Sequence, residues 1–588
     1  MEASAGTRLW SYRDKPVVHL AVGALVCFFV LSPVLFTPWG FGVDFTNHLW
    51  LVWQQGLAIS HTGHPTLYLQ QPGGIFEPFY GFYGGSLYAF VGALSALVDN
   101  HAYPVYVASI GAAAALAYGG MWWLGRQFGL SRWMAHLPAF VVVTAAYYLT
   151  DAYARGAWPE LVALSAVPMF IAGGARLLTG PWKAGPVALF AIGTVAMTGS
   201  HNVTLLWSAL VIAPIAVVAW VVAGKERPDP RRIAMTAGLA VASVGINAWF
   251  LILDITHSSD VKAWEQNENF VAHAFPHYFY FDNLANVLDP LRSTPAQSTT
   301  DGLTIAAPIA AFALALVLVA LAWPRLAAVG RALKALWLIV FAAMVVLVVL
   351  LIMPASWWID LGSPFTNIQF PYRLSGWLLV GIAVLLAISL RFARDLVGAR
   401  RQVALILVGA LVVATVAQAA AQMYPSARID GDINHDFHPR TVAFAKGATT
   451  APVTWYDPYS YADDSLPQVR TEEIRTIVMP VPEPGATRSS VEIAAPPGRG
   501  ALPTNIAGGP YVVRVEGLPV VGRTHGGALV LKPPADESKP IAVTVVADAG
   551  TQQAVATIIS ILCLVGILGL IGLLAVRPKL KNRLRPTG

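Results

Sequence analysis

The sequence predicts a polytopic α-helical membrane protein of about twelve transmembrane helices that carries a small extracytoplasmic all-β domain. Three observations predict this class. Of 588 residues 56% are hydrophobic and only 12% charged, and the mean hydropathy of +0.59 is too high for a water-soluble body of this length. The apolar residues gather into stretches long enough to cross a bilayer, separated by short basic loops. One segment, 424–552, breaks the pattern with Pro, Gly, Thr and charge. The formal net charge of +6 comes from basic clusters between apolar runs, where membrane topology accounts for them, so nucleic acid is set aside as a partner. The two cysteines, Cys27 and Cys563, both lie in apolar runs and support neither a disulfide framework nor a thiolate metal site.

The basic start (Arg8, Arg13, Lys15) leads into an apolar run without an A-x-A-like cleavage site, which predicts an uncleaved first span. Thirteen stretches qualify as crossings, near 17–37, 83–99, 103–124, 133–149, 158–178, 184–200, 203–224, 233–255, 303–323, 335–353, 374–390, 402–422 and 553–576. Thirteen crossings from a cytoplasmic N-terminus would put "RPKLKNRLRPTG" and most basic loops outside, against the positive-inside rule. The stretch "GFYGGSLYAFVGALSALVD", with its glycines and tyrosines, is better placed as a juxtamembrane helix in the outer interface. Twelve spans then leave both termini cytoplasmic. Between residues 126 and 401 the inner loops hold fifteen Lys/Arg and the outer side four, Arg155, Lys262, Arg292 and Arg373.

This layout gives eleven spans in 1–423, an extracytoplasmic β-rich domain in 424–552, and a last helix with a basic cytoplasmic tail in 553–588. The β assignment rests on "RTIVMPV", "SSVEIAA", "YVVRVEG" and "IAVTVVA", alternating runs bounded by Pro and Gly.

Ionisable groups are costly inside a bilayer, so their positions carry information. His19 and His136 lie near cytoplasmic span ends, whereas Asp44, His48, Asp151, Arg155, Glu160, His201, Asp254 and Arg373 collect at outer ends and turns. Asp44, in "GVDFTNHLW", is the only formal charge between Lys15 and Glu77. As an N-cap it would start an interfacial helix; as a carboxylate in an apolar outer cavity, with its pKa raised, it would serve as a general base. His48, four residues on, shares its helix face and is placed either to orient Asp44, to bind a phosphate, or to sit passively in the interface.

In "TDAYARGAWPEL" Pro159 opens a helix with Glu160 in its first turn. Asp151, Arg155 and Glu160 fit helix-dipole complementation and a surface ion pair. They also fit a site in which a carboxylate orients the acceptor or holds a divalent cation while Arg155 faces a phosphate. His201 in "TGSHN" is either a solvated turn histidine or a ligand contact. Arg373 in "FTNIQFPYRLSGW" stands on the outer side against topology, which suggests an anion partner such as a lipid phosphate, or interfacial snorkelling. "HTGH" at 61–64 is a weak metal signal.

Taken in order, the first-loop Asp44, the two outer-surface helices, "YARGAWPELVAL", "SHN" and "QFPYR" resemble the bacterial membrane proteins called 6-pyruvoyl-tetrahydropterin-synthase-related, which are similar to the C-type (GT-C) glycosyltransferase superfamily. The resemblance covers roughly residues 17–423; Tyr372 stands where a Trp is expected, and the first-loop motif is a single Asp rather than a pair of acidic residues. It implies a GT-C-like fold and an inverting transfer of a sugar from a polyprenyl-phosphate donor on the outside of the bacterial cytoplasmic membrane; the Ala/Val/Arg/Pro-rich composition, which suggests a GC-rich bacterium, favours mannose or arabinose as the sugar. The acceptor would be a cell-envelope glycan, glycolipid or protein. Asp44 would be the base, His48, Asp151 and Glu160 would organise the acceptor side, and Arg373, Arg155 and His201 would bind the donor phosphate. The single Asp leaves the metal unassigned, a divalent cation or none. Two other classes stay open: a lipid or polysaccharide transporter, disfavoured by spans nearly free of charge, and a scaffold presenting the β domain.

Overall fold

The computed structural model describes residues 15–36, 44–71, 74–224, 227–257, 306–353, 373–427, 468–469, 485–493, 501–507, 513–524, 528–534, 541–547 and 550–583. Each of the twelve stretches expected to cross the membrane is mainly helical over its described residues. Among the described residues nine helices are long and apolar enough to do so unaided: Pro16–Phe36, Ala102–Gln127, Trp158–Thr179, Asn202–Ala223, Ala307–Ala327, Arg331–Leu351, Leu374–Asp395, Gly398–Ala421 and Gly550–Val576.

Three of the twelve expected spans depart from a single long helix, each for a local reason. His136–Thr144 stops at Ala145, whose backbone is extended (φ −71°, ψ 150°), and resumes as Ala146–Leu149 before a π-helical turn, Thr150–Ala154. Ala184–Ser200 has 17 residues, which at about 1.5 Å each falls short of a ~30 Å hydrocarbon core. Pro230–Gly245 and Ala248–Thr256 meet at a bend of 84°. Asn247 holds that bend, its amide donating to the Val195 carbonyl (3.0 Å) and to Thr198 Oγ1 (2.8 Å). Gly85–Ala96, the expected juxtamembrane helix, has 12 residues and is too short to cross.

The helices sort by burial. Leu374–Asp395 and Trp158–Thr179 are 78% and 67% buried and form the centre of the bundle with Ala102–Gln127, whereas Gly550–Val576 is 6% buried and presents apolar residues outward, as a lipid-facing helix does. At one end of the bundle His19 Nδ1 lies 2.9 Å from His136 Nε2, and His136 Nδ1 lies 2.6 Å from the Tyr118 hydroxyl, in a packet walled by Trp122 and Trp133. The charged cluster described below is at the other end.

The β region near the C-terminus contains two sheets. Arg488–Ile493, Ile541–Ala547 and Val513–Glu516 form an antiparallel sheet with Ile541–Ala547 in the middle. These strands coincide with "SSVEIAA", "IAVTVVA" and "YVVRVEG"; "RTIVMPV" lies outside the described residues. The other sheet recruits the first loop. Leu69–Gln71 and Gly74–Glu77 pair antiparallel, and Ile75 sits opposite Ile506 in a parallel pairing with Leu502–Ala507, which continues to Ala528–Leu531, Val520–Thr524 and Gln468–Val469. A common core of Phe76, Phe82, Phe250 and Leu253 with Ile506, Leu529, Leu531, Val543 and Val545 fastens the sheets to the first loop and to the bent helix pair. The helix Gly398–Ala427 runs slightly past the expected boundary at residue 423.

Candidate functional site

Four stretches distant in sequence meet at one end of the bundle. The first is the start of the helix Phe45–Thr62. Asp44 occupies its N-cap position, but with φ −95° and ψ −3° the residue is already helical in backbone, and its carboxylate makes no capping hydrogen bond. A capping side chain needs the extended backbone typical of that position in order to turn back on the first turn. The capping role expected of Asp44 is therefore not the one its side chain fills. The carboxylate is half-buried and makes no hydrogen bond or ion pair among the described residues.

The second stretch is the π-helical turn Thr150–Ala154, closed by Arg155 N–H donating to the Thr150 carbonyl at 2.8 Å. The wider turn brings Asp151 and Arg155 side by side, with Arg155 Nη1 2.7 Å from Asp151 Oδ1; such turns recur at functional sites. Asp151 Oδ2 is buried without a hydrogen-bond partner among the described residues. The third stretch is the start of Trp158–Thr179, where Pro159 opens the helix and Glu160 stands in its first turn, as the sequence predicts. Glu160 Oε2 accepts hydrogen bonds from Arg155 Nη1 and Nη2, both at 3.3 Å, and forms an ion pair with Arg373, whose Nε lies 3.1 Å away, while the Tyr147 hydroxyl donates to Oε1. The fourth is Arg373, at the N-cap of Leu374–Phe392.

Glu160 thus ties together two guanidiniums from different elements, all three side chains at most 8% exposed. A buried arrangement of this kind is tolerated only when the charges are paired and hydrogen-bonded. The surface ion pair that the sequence allowed for Asp151 and Arg155 is a buried one.

The first and second stretches are joined by backbone. Asp44 N–H donates to the Arg155 carbonyl at 2.8 Å. Gly156 has φ +67°, and a Cβ there would stand 2.9 Å from the Phe45 nitrogen. Only glycine takes this conformation cheaply, and only glycine leaves room for Phe45. Gly156→Ala is expected to lower thermal stability by about 1–3 kcal/mol and to reduce activity by more than that loss explains, because it pushes Asp44 out of register. Thermal melts of the detergent-solubilised variant alongside its turnover check both halves.

His48 does not orient the Asp44 carboxylate. Its Nδ1 lies 2.6 Å from the Tyr88 hydroxyl, its ring stacks on Tyr83 (centroids 6.3 Å apart, planes 12° apart), and its backbone N–H takes the Asp44 carbonyl at 3.1 Å. Burial first, then Arg155, lowers its pKa to about 3, so the ring is neutral at physiological pH. His201 is 1% exposed, which removes the solvated-turn reading. His64, in "HTGH", is exposed and bonds the neighbouring Pro65 carbonyl at 3.1 Å.

Burial raises the Asp44 pKa above the usual carboxylate value; Arg155 and then Arg373 oppose the shift, and Glu160 adds to it. Asp44, Glu160 and Arg373 are therefore close enough for their charges to act on one another. Among the described residues no group of three or more His, Cys, Asp or Glu is placed to hold a metal ion. Asp151 Oδ1 and Glu160 Oε2 are each committed to a guanidinium, and a divalent cation at either of these oxygens would compete with arginine.

Sequence reasoning missed Tyr147, Tyr88 and Gly156. Gly156 carried a signal, a glycine between a helical run and a proline-started helix. The tyrosines carried none, because aromatic residues are common throughout these apolar runs.

No family model matches the chain, and no curated protein matches it. Among solved structures, the Archaeoglobus fulgidus oligosaccharyltransferase in the apo form is similar over 78% of this chain at 14% identity, with a TM-score of 0.43. The same enzyme with Zn and sulfate is similar over 77% at 14% identity and a TM-score of 0.44. The archaeal oligosaccharyltransferase from Archaeoglobus fulgidus in complex with an inhibitory peptide and a dolichol-phosphate is similar over 72% at 15% identity and a TM-score of 0.43. The chain spans 63%, 60% and 56% of the length of those three chains, respectively.

Proposed function

We propose that this chain is a GT-C-like glycosyltransferase of the bacterial cytoplasmic membrane. It moves a sugar from a polyprenyl-phosphate-linked donor to a cell-envelope glycan, glycolipid or protein on the extracytoplasmic face. One observation carries the reading. A half-buried carboxylate with no partner among the described residues, Asp44, stands in the same neighbourhood as two buried arginines at one end of an apolar bundle. A packing network explains Asp151, Arg155, Glu160 and Arg373; it does not explain an unengaged Asp44 beside them.

The chemistry follows from the charges. The acceptor hydroxyl gives its proton to the Asp44 carboxylate as its oxygen bonds to the anomeric carbon from the face opposite the phosphate. The bond between that carbon and the phosphate oxygen breaks, its electron pair leaves with the carrier phosphate, and the configuration inverts. Arg373 and Arg155 supply fixed positive charge near the departing phosphate, and Glu160 and Asp151 hold them in place, so little reorganisation is needed as charge develops. The apolar flanks of the bundle suit the prenyl chain, and the two sheets with the first loop fit an acceptor-facing cover. The fifteen-to-four distribution of Lys/Arg supports placing this end outside and both termini inside.

Transfer by the purified protein in nanodiscs, from a panel of radiolabelled polyprenyl-phosphate sugars to cell-envelope acceptors, tests the reading; transport of the same lipids between leaflets without any transfer would replace it with the transporter alternative. A pH profile adds a second test. A general base works only when deprotonated, so kcat/KM is expected to fall as pH drops through the Asp44 pKa. The acid limb should lie above the usual carboxylate value of 3.8, because burial raises the pKa of this group. A limb at or below that value contradicts the assignment.

A further inference from the structure

His201 ends the helix Ala184–Ser200 and begins Asn202–Ala223. Its Nδ1 lies 3.2 Å from the Thr204 backbone nitrogen and 2.8 Å from Thr204 Oγ1. A backbone N–H can only donate, so Nδ1 must present its lone pair, and the one proton of the neutral ring has to sit on Nε2. That Nε2 is buried and has no hydrogen-bond partner among the described residues. Leaving a buried donor unpaired costs about 1–3 kcal/mol, which a ligand acceptor would relieve.

The groups around the ring say what kind of acceptor. Arg373, Glu160, Arg155 and His48, from four different elements, are all close enough to influence its titration, and Tyr83 meets it edge to face at 5.5 Å. Gly84, at φ +60°, lets the chain pass against the Ser200 carbonyl and so sets Tyr83 beside the ring. A second proton on His201 would break the Thr204 cap and add a cation beside two guanidiniums. Burial and Arg373 lead in holding its pKa down to about 3, with Glu160 opposing and Arg155 and His48 adding. An unpaired donor beside arginines suits an anionic oxygen better than a neutral hydroxyl.

We infer that His201 is a neutral hydrogen-bond donor, through Nε2–H, to a phosphate oxygen of the carrier lipid, with its tautomer set by the helix it caps. The inference rests on the proposed reading of this end of the bundle as a polyprenyl-phosphate site and adds which proton is offered there. An uncharged donor strengthens as charge grows on the departing phosphate without adding a further cation to hold the product.

The test uses full-length protein in nanodiscs with undecaprenyl phosphate, the product common to donors of different sugars. In the unmodified protein, ¹⁵N spectra of His201 should show one neutral tautomer protonated at Nε2 between pH 5 and pH 8, and undecaprenyl phosphate should move the Nε2 resonance. A ring protonated at both nitrogens in that window, or an Nε2 resonance that ignores the lipid, overturns the inference. His201→Asn keeps a favoured N-cap acceptor for Thr204 N–H and removes the Nε2 donor. It should melt like the native protein and bind undecaprenyl phosphate about 10–100-fold more weakly. The double variant Arg373→Gln, Glu160→Gln removes a cation without orphaning its carboxylate and reports on the site itself. Weakening in both variants supports the inference. Weakening in the double variant alone overturns the His201 role and leaves the site standing, and native affinity in both overturns the two together.

Discussion

Asp44→Asn is expected to leave the protein folded and to lower sugar transfer by about 10²–10⁴-fold, the usual contribution of a general base. The fold should stay intact because the carboxylate has no described partner to lose. It makes no capping bond, no ion pair and no side-chain hydrogen bond among the described residues, whereas the interactions that position residue 44, its N–H to the Arg155 carbonyl and its carbonyl to the His48 N–H, are backbone bonds that asparagine retains. Asparagine matches the shape and cannot take a proton at neutral pH. Melting and gel filtration of the variant, alongside its turnover with whichever donor the native protein uses, separate a lost base from a lost fold. Full activity in a folded Asp44→Asn protein would remove Asp44 from the mechanism and send the search for a base to Asp151, whose Oδ2 has no hydrogen-bond partner among the described residues.

Glu160→Gln is expected to be the most damaging single substitution for stability in this cluster. Glu160 is approached by Arg155 through two nitrogens, by Arg373 and by the Tyr147 hydroxyl, and it is 4% exposed. Glutamine has nearly the same volume but no charge, so two buried guanidiniums would lose their shared counter-ion. Breaking a buried ionic network from one side costs about 3–5 kcal/mol, mostly the penalty of the charge left behind. Tyr147→Phe removes one hydrogen bond to the same carboxylate and should cost only about 1–2 kcal/mol. Thermal melts in detergent should rank Glu160→Gln well below Tyr147→Phe. Equal melting temperatures would mean that water reaches the arginines and that the network is not the closed one described here.

The two substitutions discriminate between kinds of role. Asp44 is expected to affect rate without stability, and Glu160 to affect stability first and rate as a consequence. A scaffold whose polar cluster serves only packing would show the second effect and not the first.

Much of this site was legible because charge is rare in the chain. Against an apolar background, Asp44, the Asp151, Arg155 and Glu160 group, and Arg373 stand out by cost alone, since each needs a partner or a purpose to be kept near a bilayer. The helix start at Pro159 was legible for a similarly local reason, a ring that suits the first turn followed by a carboxylate that suits the dipole. Partner choice was not legible. Nothing in "TDAYARGAWPEL" says that Arg155 turns towards both Asp151 and Glu160, because that depends on one extra residue in a π-helical turn whose energy is decided by packing. The partner of His48 was equally illegible. Four-residue spacing places it on the Asp44 face, but the Tyr88 hydroxyl, forty residues away, takes its ring nitrogen.

By itself, then, the sequence determined what each short stretch can become: apolar runs long enough to span, a first-loop helix assigned to the interface by the distribution of basic residues, alternating strands after residue 488, and the few costly charges. These properties follow from hydrophobic periodicity and desolvation, which act over a few turns of chain and can be read from neighbours. Only the tertiary structure decided that two arginines would close on Glu160 and leave Asp44 without a partner among the described residues, that the first loop would lend Gly74–Glu77 to a sheet completed by residue 506, and that His201 would spend one nitrogen on Thr204 and keep the other without a partner among the described residues. The reason is physical. Hydrogen bonds and ion pairs are short-ranged and directional, so their partners are set by which surfaces the packed helices bring within about 3 Å, and residues separated by a hundred positions carry no mark of that meeting in the chain.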